Sequence, residues 1–252
     1  MFRYALLGLL WWSLGKNLAA AEWEQIQSRG FLVVGVQEHN PPLTLRDQQG
    51  NLTGFEVDLA RALAAKLLGN PDKVKLVPLK NRERLQALWD DRVDMLIAQM
   101  TVTGNRQRLV DFSPAYYTDR VVIIYPKARP LEGGKPHRIG VLNQSSNINV
   151  LQADLPQARP IGLTSYQEGY NALLENKIDG MILDGLGAAN WLQSRPQFSA
   201  QPTNHFVSLA VALPKGLQYD QLRQKTSQTI ETLKLEQWLE ERVKHWQLNP
   251  VK

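Results

Sequence analysis

The segment Ala98-Gln99-Met100-Thr101-Val102-Thr103-Gly104-Asn105-Arg106 sets amides, hydroxyls and a guanidinium directly after an apolar run. Those groups suit a carboxylate, because a guanidinium can hold both its oxygens in a bidentate fork. Asn143-Gln144-Ser145-Ser146-Asn147 is a second polar stretch, placed between an apolar run and a helical one. Free amides at a helix start, with serine hydroxyls beside them, again favour an anion. Asp184 follows the apolar run Gly180–Leu183 and could receive an ammonium. Each feature also has a plainer reading. The first could be a surface turn with a solvated arginine. Ser146 or Asn147 could simply cap a helix, and so could Asp184. Taken together, Arg106 for a carboxylate and Asp184 for an ammonium describe a clamp for a zwitterion, and a clamp needs two jaws that close.

Other chemistry is thinly represented. His39, His137, His205 and His245 form no i, i+4 metal pair and no HExxH. The nucleophile elbow Gly-x-Ser-x-Gly and the phosphate loops GxxxxGK[ST] and GxGxxG are missing, and Gly185-Leu186-Gly187 is only a fragment. The sequence therefore singles out no catalytic residue, no metal site and no cofactor. With no cysteine, a disulfide scaffold, a thiol nucleophile and a lipidated cysteine are excluded. The formal net charge is +5. Without Arg3 and Lys16 of the leader, the 29 basic residues fall to 27 against 24 acidic ones. That balance is mild and scattered, with no run that would track a phosphate backbone, so nucleic acid is not an expected partner.

The elements that would position these residues alternate in type. Arg3, the apolar run Tyr4–Leu14 and the small residues Ala19-Ala20-Ala21 read as a cleaved signal peptide over residues 1–21, with an uncleaved anchor as the rival. A short helix over Trp23–Ser28 precedes a strand, Phe31–Val36. Thr53 and Glu56 have capping-box spacing before an amphipathic helix that Gly69-Asn70-Pro71 ends. Strand Val74–Leu79, helix Arg82–Trp89 and strand Asp94–Ala98 follow. Arg120–Tyr125 is extended, and the Pro/Gly-rich stretch Pro126–Pro136 marks a boundary. The alternation then restarts with strand Arg138–Leu142, a helix from Asn147, strand Pro160–Leu163, a helix opened by Ser165 and Glu168, strand Asp179–Leu183 and helix Leu186–Leu192. Phe206–Leu213 is extended, and two helices, Gln218–Leu233 and Leu235–Trp246, close the chain. Strands separated by helices imply parallel sheets. The expected fold is α/β and two-lobed, each lobe a mostly parallel sheet flanked by helices. Residues 22–125 and 207–252 form lobe 1, residues 126–206 an inserted lobe 2, and two extended crossings form the hinge.

These residues resemble the polar amino-acid solute-binding proteins of ABC importers, the bacterial extracellular solute-binding family 3. The likeness runs from about Arg29 to Trp246. It is strongest in Gly50-Asn51-Leu52-Thr53-Gly54-Phe55-Glu56-Val57-Asp58, in Arg92–Ala98 leading to Thr101-x-Thr103-x-x-Arg106, and in Val110–Tyr117. Ile139-Gly140-Val141 and Lys177-Ile178-Asp179-Gly180 match in the second lobe. The resemblance implies that Arg106, aided by Thr101, grips an α-carboxylate, with Ser145 and Ser146 adding donors and Asp184 taking the α-ammonium. Ala98, Gln99 and Asn147 belong to the same loops. Asn40 stands where the family often stacks an aromatic ring, and Asn81 lies where an apolar wall is common, so a small polar ligand is expected. Arg84 resembles a position that reaches a side-chain carboxylate, which orders the candidates glutamate, aspartate, glutamine; the plainer reading is an exposed helix arginine. Gly104 replaces a commoner proline.

The implied function is a periplasmic, monomeric, non-enzymatic binding component that serves a membrane permease and an ATPase. Two alternatives stay open. One is an exported enzyme on the same scaffold, such as a cyclohexadienyl dehydratase, with Glu38 or Glu168 as its acid. The other is a ligand-sensing subunit.

Overall fold

The computed structural model describes residues 22–248, Gly134 excepted. Residues 1–21, read from sequence as a signal peptide, lie outside the described residues. Helix α1 (Trp23–Arg29) leads into β1 (Leu32–Gln37). The short strands β2 (Leu45–Arg46) and β3 (Leu52–Thr53) precede α2 (Phe55–Leu68), β4 (Val74–Leu79), α3 (Arg84–Trp89), β5 (Met95–Leu96) and α4 (Gly104–Gln107). Strand β6 (Asp111–Pro126) then crosses to β7 (Arg138–Leu142), α5 (Asn147–Asp154), β8 (Arg159–Leu163), α6 (Tyr166–Leu174), β9 (Gly180–Asp184) and α7 (Gly185–Leu192). Strand β10 (Phe198–Leu213) returns, and α8 (Asp220–Leu235) and α9 (Trp238–His245) follow. None of the described helices is long and apolar enough to cross a membrane.

Strand β1 runs parallel to β4 and β5, and β7 runs parallel to β8 and β9, as the helical crossovers require. The two parallel sets are not separate sheets. The order β4-β1-β5-β10-β6-β9-β7-β8 is a single ladder, joined in the middle by the antiparallel pair β6 and β10. Each of those strands has 16 residues and serves both halves. β10 pairs with β5 at Ala212↔Leu96, and β6 pairs with β9 from Val121↔Asp184 to Ile124↔Met181.

The β6–β10 register breaks between Pro202 and Phe206. Pro202 has no N–H to give, so ladder bonding falters there. Side chains take over. The Thr203 hydroxyl donates to Val121 O at 2.8 Å, and Arg120 Nε donates to Thr203 O at 2.8 Å. This irregular patch is where the chain passes between halves.

Apolar burial is continuous across that junction. Phe55, Leu59 and Leu63 of α2 pack in one cluster with Val34 and Val36 of β1, and the same cluster includes Ile139, Ile182 and Leu186 of the second half. A second cluster, with Ile124, Met181, Leu183, Trp191 and Phe198, fills the other face of the second half.

Two helix starts differ in an informative way. Ser165 Oγ accepts from Glu168 N at 3.1 Å, and Glu168 turns back to the amide and hydroxyl of Thr164, so this capping site forms much as the spacing predicts. At α2 the capping box does not form. Gly54 is the N-cap at φ 128°, where a Cβ would collide with the carbonyl of Leu43, and no side chain caps the helix. Glu56 is turned into the core instead.

Candidate functional site

The turn after β5 is held by two buried groups from other elements. Glu56 Oε1 accepts from Gln99 N at 2.6 Å and from the Tyr116 hydroxyl at 2.5 Å. Arg84 donates to the carbonyls of Ala98 and Gln99 and to the carbonyl and side chain of Asn81. Gln99 is thereby fixed at φ 51°, an uncommon conformation for a residue with a side chain. Its Oε1 accepts from Asn40 Nδ2 at 2.8 Å. Arg84 is buried, not an exposed helix arginine, and its guanidinium makes four hydrogen bonds, two to this turn and two to Asn81. Burial and the nearby Arg106 charge bring its pKa down to about 10. Burial raises the carboxyl pKa of Glu56 despite its donors.

This braced turn carries α4. Thr103 Oγ1 caps the helix by accepting from Arg106 N at 3.3 Å. The Arg106 guanidinium folds back, donating from Nη1 to Thr101 O at 3.0 Å. From Nη2 it reaches across to Gln144 O of the second half at 3.4 Å. A second bond crosses the cleft beside it, from Asn81 Nδ2 to Asn143 O at 2.6 Å. Both join residues of the first parallel set to the turn after β7.

Asp184 meets this cluster from the other side. It is buried at the junction of β9 and α7, and its Oδ1 accepts from Asn147 Nδ2 at 3.0 Å. It stands at the N-cap of α7 yet makes no side-chain capping bond. That work falls to Asp119 of β6, whose carboxylate accepts from Leu186 N at 3.1 Å and Arg120 N at 2.8 Å. The same substitution occurs at α5. Ser146 is the N-cap but caps nothing with its hydroxyl, and Ser145 Oγ accepts from Asn147 N at 3.2 Å.

The electrostatics follow from burial. Desolvation lowers the pKa of Arg106, and the facing Asp184 charge opposes that. Desolvation raises Asp184, opposed by the Asn147 hydrogen bond and by Arg106 and Arg84. Asp119 is pushed up to about 7, by burial first and then by the Asp184 charge beside it. The cluster thus holds a half-buried cation facing a pair of crowded carboxylates. Such an arrangement can take an anion at one end and a cation at the other.

The structure therefore brings the buried Thr101, Arg84, Gln99 and Ala98 and the half-buried Arg106 together on one side and the buried Asp184 and Asn147 on the other, near enough for the charges of Arg106, Arg84 and Asp184 to interact, with Ser145 and Ser146 on the adjoining turn. A cavity of about 970 Å³ opens beside it, and of the ten residues selected from sequence only Asn40 lies on its wall. Tyr166 links the two. It lines the cavity, and its ring is close enough to Asp184, Arg84 and Arg106 for their charges to interact with its hydroxyl. Sequence reasoning missed Glu56, Tyr116, Asp119 and Tyr166. Glu56 was absorbed into a capping pattern, Tyr166 was hidden inside one, and Tyr116 and Asp119 carry no local signal.

Known proteins share this architecture. A crystal structure of a solute receptor for L-cysteine from Neisseria gonorrhoeae superposes with a TM-score of 0.83 at 24% identity, covering 89% of this chain and 93% of that one. An L-cystine-binding protein of Escherichia coli (strain K12) is 26% identical over 230 residues, 85% of this chain and 84% of the relative. A glutamine-binding protein of Geobacillus stearothermophilus is 27% identical over 166 residues, which span 64% of this chain and 63% of that relative's length. Residues 32–249 match the profile of the bacterial extracellular solute-binding proteins, family 3, and the chain belongs to that family.

Proposed function

We propose that this chain captures a polar amino acid between two lobes and presents it to the permease and ATPase of an ABC importer. The observation that carries the reading is the approach of the half-buried Arg106 to the buried Asp184, close enough for their charges to interact. An α-carboxylate would replace the contact of Arg106 with Gln144 O, and an α-ammonium would sit against Asp184. Only a closed molecule engages both, so ligand binding favours closure. We divide the lobes at the β6–β10 crossings, with residues 22–125 and 207–252 in one and 126–206 in the other. The leader over residues 1–21 would direct the protein to the periplasm, where it would act as a monomer without catalysis.

The side-chain preference moves away from Arg84. Its hydrogen bonds are committed to the turn at Ala98 and Gln99, so glutamate and aspartate lose the priority that an unengaged arginine would give them. Relatives whose names cite glutamine, cystine and cysteine support a polar ligand of open size. The enzymatic alternative gains nothing from Glu168, whose carboxylate is spent on Thr164 and held below its usual range by those bonds.

A thermal-shift screen against the common amino acids and L-cystine tests the reading, because a ligand that binds only the native state raises its melting temperature. Binding near micromolar affinity, about −8 kcal/mol, is expected. Arg106→Ala should cost about 3–5 kcal/mol, since the ligand carboxylate would be left buried and unpaired. Calorimetry showing undiminished affinity in that variant refutes the clamp. Turnover of prephenate or arogenate would favour the enzyme instead.

A further inference from the structure

Strand β6 brings a second carboxylate to the ammonium end of the clamp. In the β6–β9 ladder Val121 stands opposite Asp184, and Asp119 lies on the same face of β6 as Val121. The carboxylate of Asp119 accepts from Leu186 N at 3.1 Å, so both acids sit at the head of α7. Asp119 is 0% exposed and Asp184 5%. The hydrogen bonds they receive come from neutral donors, the amides of Leu186 and Arg120 for Asp119 and the side-chain amide of Asn147 for Asp184.

The surrounding cations are engaged elsewhere. Arg106 and Arg84 act on Asp184 through their charges, but their hydrogen bonds go to carbonyl oxygens. Arg120, next to Asp119, turns its guanidinium to Thr203 O and over the Phe206 ring. His205 of β10 faces Asp154 of α5. On α8, Arg223 pairs with Asp220 and Asp111, Lys225 lies over Trp23, and Lys234 pairs with Glu231. Residues 180–192, which carry β9 and α7, include no lysine, arginine or histidine. Tyr117 and Tyr166 have their phenols pushed up, by burial first and then by these acids, so they stay neutral. Two carboxylates buried together cannot both ionise freely, and such a pair retains a proton that neither would keep alone. Burial first, and then the Asp184 charge, hold Asp119 at about 7.

We infer that Asp119 is a second acidic residue of the ammonium site: in mildly acid solution the ligand-free Asp119–Asp184 pair shares one proton, and an amino acid whose ammonium enters against Asp184 drives that proton out. The incoming positive charge stabilises both carboxylates in their ionised form. One O–H bond is broken, and the proton passes to water or buffer. Asp119 acts through Asp184 and is a positioning residue for charge. Because binding expels a proton, affinity rises with pH and acid loosens the ligand. The inference rests on the head-group clamp at Arg106 and Asp184 and extends it.

The test is calorimetry of the purified full chain with L-glutamine, L-serine and L-cystine, in pairs of buffers of different ionisation enthalpy. Between about pH 5 and pH 7 the carboxylate and ammonium of these probes keep their charges, so any proton exchanged comes from the protein. The probe that binds most tightly should expel about 0.5–1 proton at about pH 6, and its affinity should rise about ten-fold or more across that interval. Asp119→Asn keeps an oxygen for Leu186 N and has no proton to give up. It should at least halve both the proton count and the rise in affinity, and Asp119→Ser should do the same. If neither variant folds, carboxyl ¹³C NMR of the aspartate-labelled wild type decides. Two carboxyl resonances should then move together from protonated to ionised positions when the probe is added. Binding with no proton expelled, release undiminished in the variants, or a single responding carboxyl overturns the inference while the clamp stands. If none of the probes binds, the clamp itself fails and the extension with it.

Discussion

The two walls of the cleft hold their polar groups by different means. On the wall built from β1, α2 and β5, the groups around the turn are bound by others from distant parts of the chain, although Glu56 Oε2 and Gln37 Oε1 stay buried and unpaired. Glu56 is matched by Gln99 N and Tyr116, Gln99 by Asn40, and Arg84 by four acceptors. On the wall at the head of α7, Asp184 has one side-chain donor, Asn147, and a second carboxylate, Asp119, crowds it. The Oδ1 of Asn147 is itself buried and unpaired. The turn on the first wall is thus braced once the chain has folded. The second carries an imbalance that an incoming ammonium would relieve. A binding site can be rigid on one side and unsatisfied on the other, and the unsatisfied side is where ligand binding gains most.

The largest expected effect is on pH dependence, and it tests the crowded side. The carboxyl of Asp119 is held at about 7 instead of its ordinary 3.8, so between those values the native state binds a proton that the unfolded chain does not. That contribution to stability is complete below the unfolded pKa and is lost as pH rises through the folded one. For one group it amounts to about 4 kcal/mol at most. The raised Asp184 and Glu56 act in the same direction. Urea unfolding of the ligand-free protein should show lower stability at pH 8 than at pH 5. Asp119→Asn, which stays neutral and keeps one oxygen for Leu186 N, should flatten the profile. A wild-type profile already flat over that interval would remove the imbalance from the comparison.

The next effect concerns the braced wall. Glu56→Ala leaves the Tyr116 hydroxyl and the Gln99 amide buried without an acceptor, at a cost of about 2–5 kcal/mol in unfolding free energy. Glu56→Gln can still accept from one of them and should lose about half as much. The mirror experiment on the other wall has the opposite signature. Asp184→Asn removes one of two crowded charges, so ligand-free stability should hold or rise. Affinity for a zwitterion should fall by about 2–4 kcal/mol, because its ammonium would lose its counter-charge. Should Asp184→Asn unfold the protein and Glu56→Ala spare it, the two walls have been assigned the wrong way round.

This difference also decided what could be read from sequence. Arg106, Thr101 and Asp184 were legible because each lies just past an apolar strand, where α/β sheets expose their loops. The boundaries of β4 and β7 match the apolar runs Val74–Leu79 and Arg138–Leu142 residue for residue. β6 and β10 were read only in part, because only Arg120–Tyr125 and Phe206–Leu213 are mainly apolar. Their far ends carry Asp111, Ser113, Gln201 and Thr203, whose ladder bonds come from partner strands and not from composition. β5 is shorter than Asp94–Ala98, since Arg84 and Glu56 capture the polar backbone groups at Ala98 and Gln99. Glu56 meets Gln99 across 43 positions and Asp119 meets Leu186 across 67, and no local pattern encodes such distances.

The smallest expected effect asks how far the loosely held wall extends. Ser145 Oγ accepts from Asn147 N at the start of α5. Loss of a helix cap costs about 0.5–2 kcal/mol. Ser145→Ala should therefore lower stability by about 1 kcal/mol at most, the hydroxyl being only part-buried and water able to replace it. Asn147, however, is also the donor to Asp184. If capping at Ser145 fixes where that amide points, the variant should lose affinity as well, by about as much as it loses stability or more. Melting temperatures and calorimetric affinities on the same preparation separate the two. A stability loss with affinity unchanged would confine Ser145 to capping and leave Asp184 anchored by Asn147 independently of its turn. A matched loss in both would mean that this turn is a working part of the unsatisfied wall, positioned by a single hydroxyl.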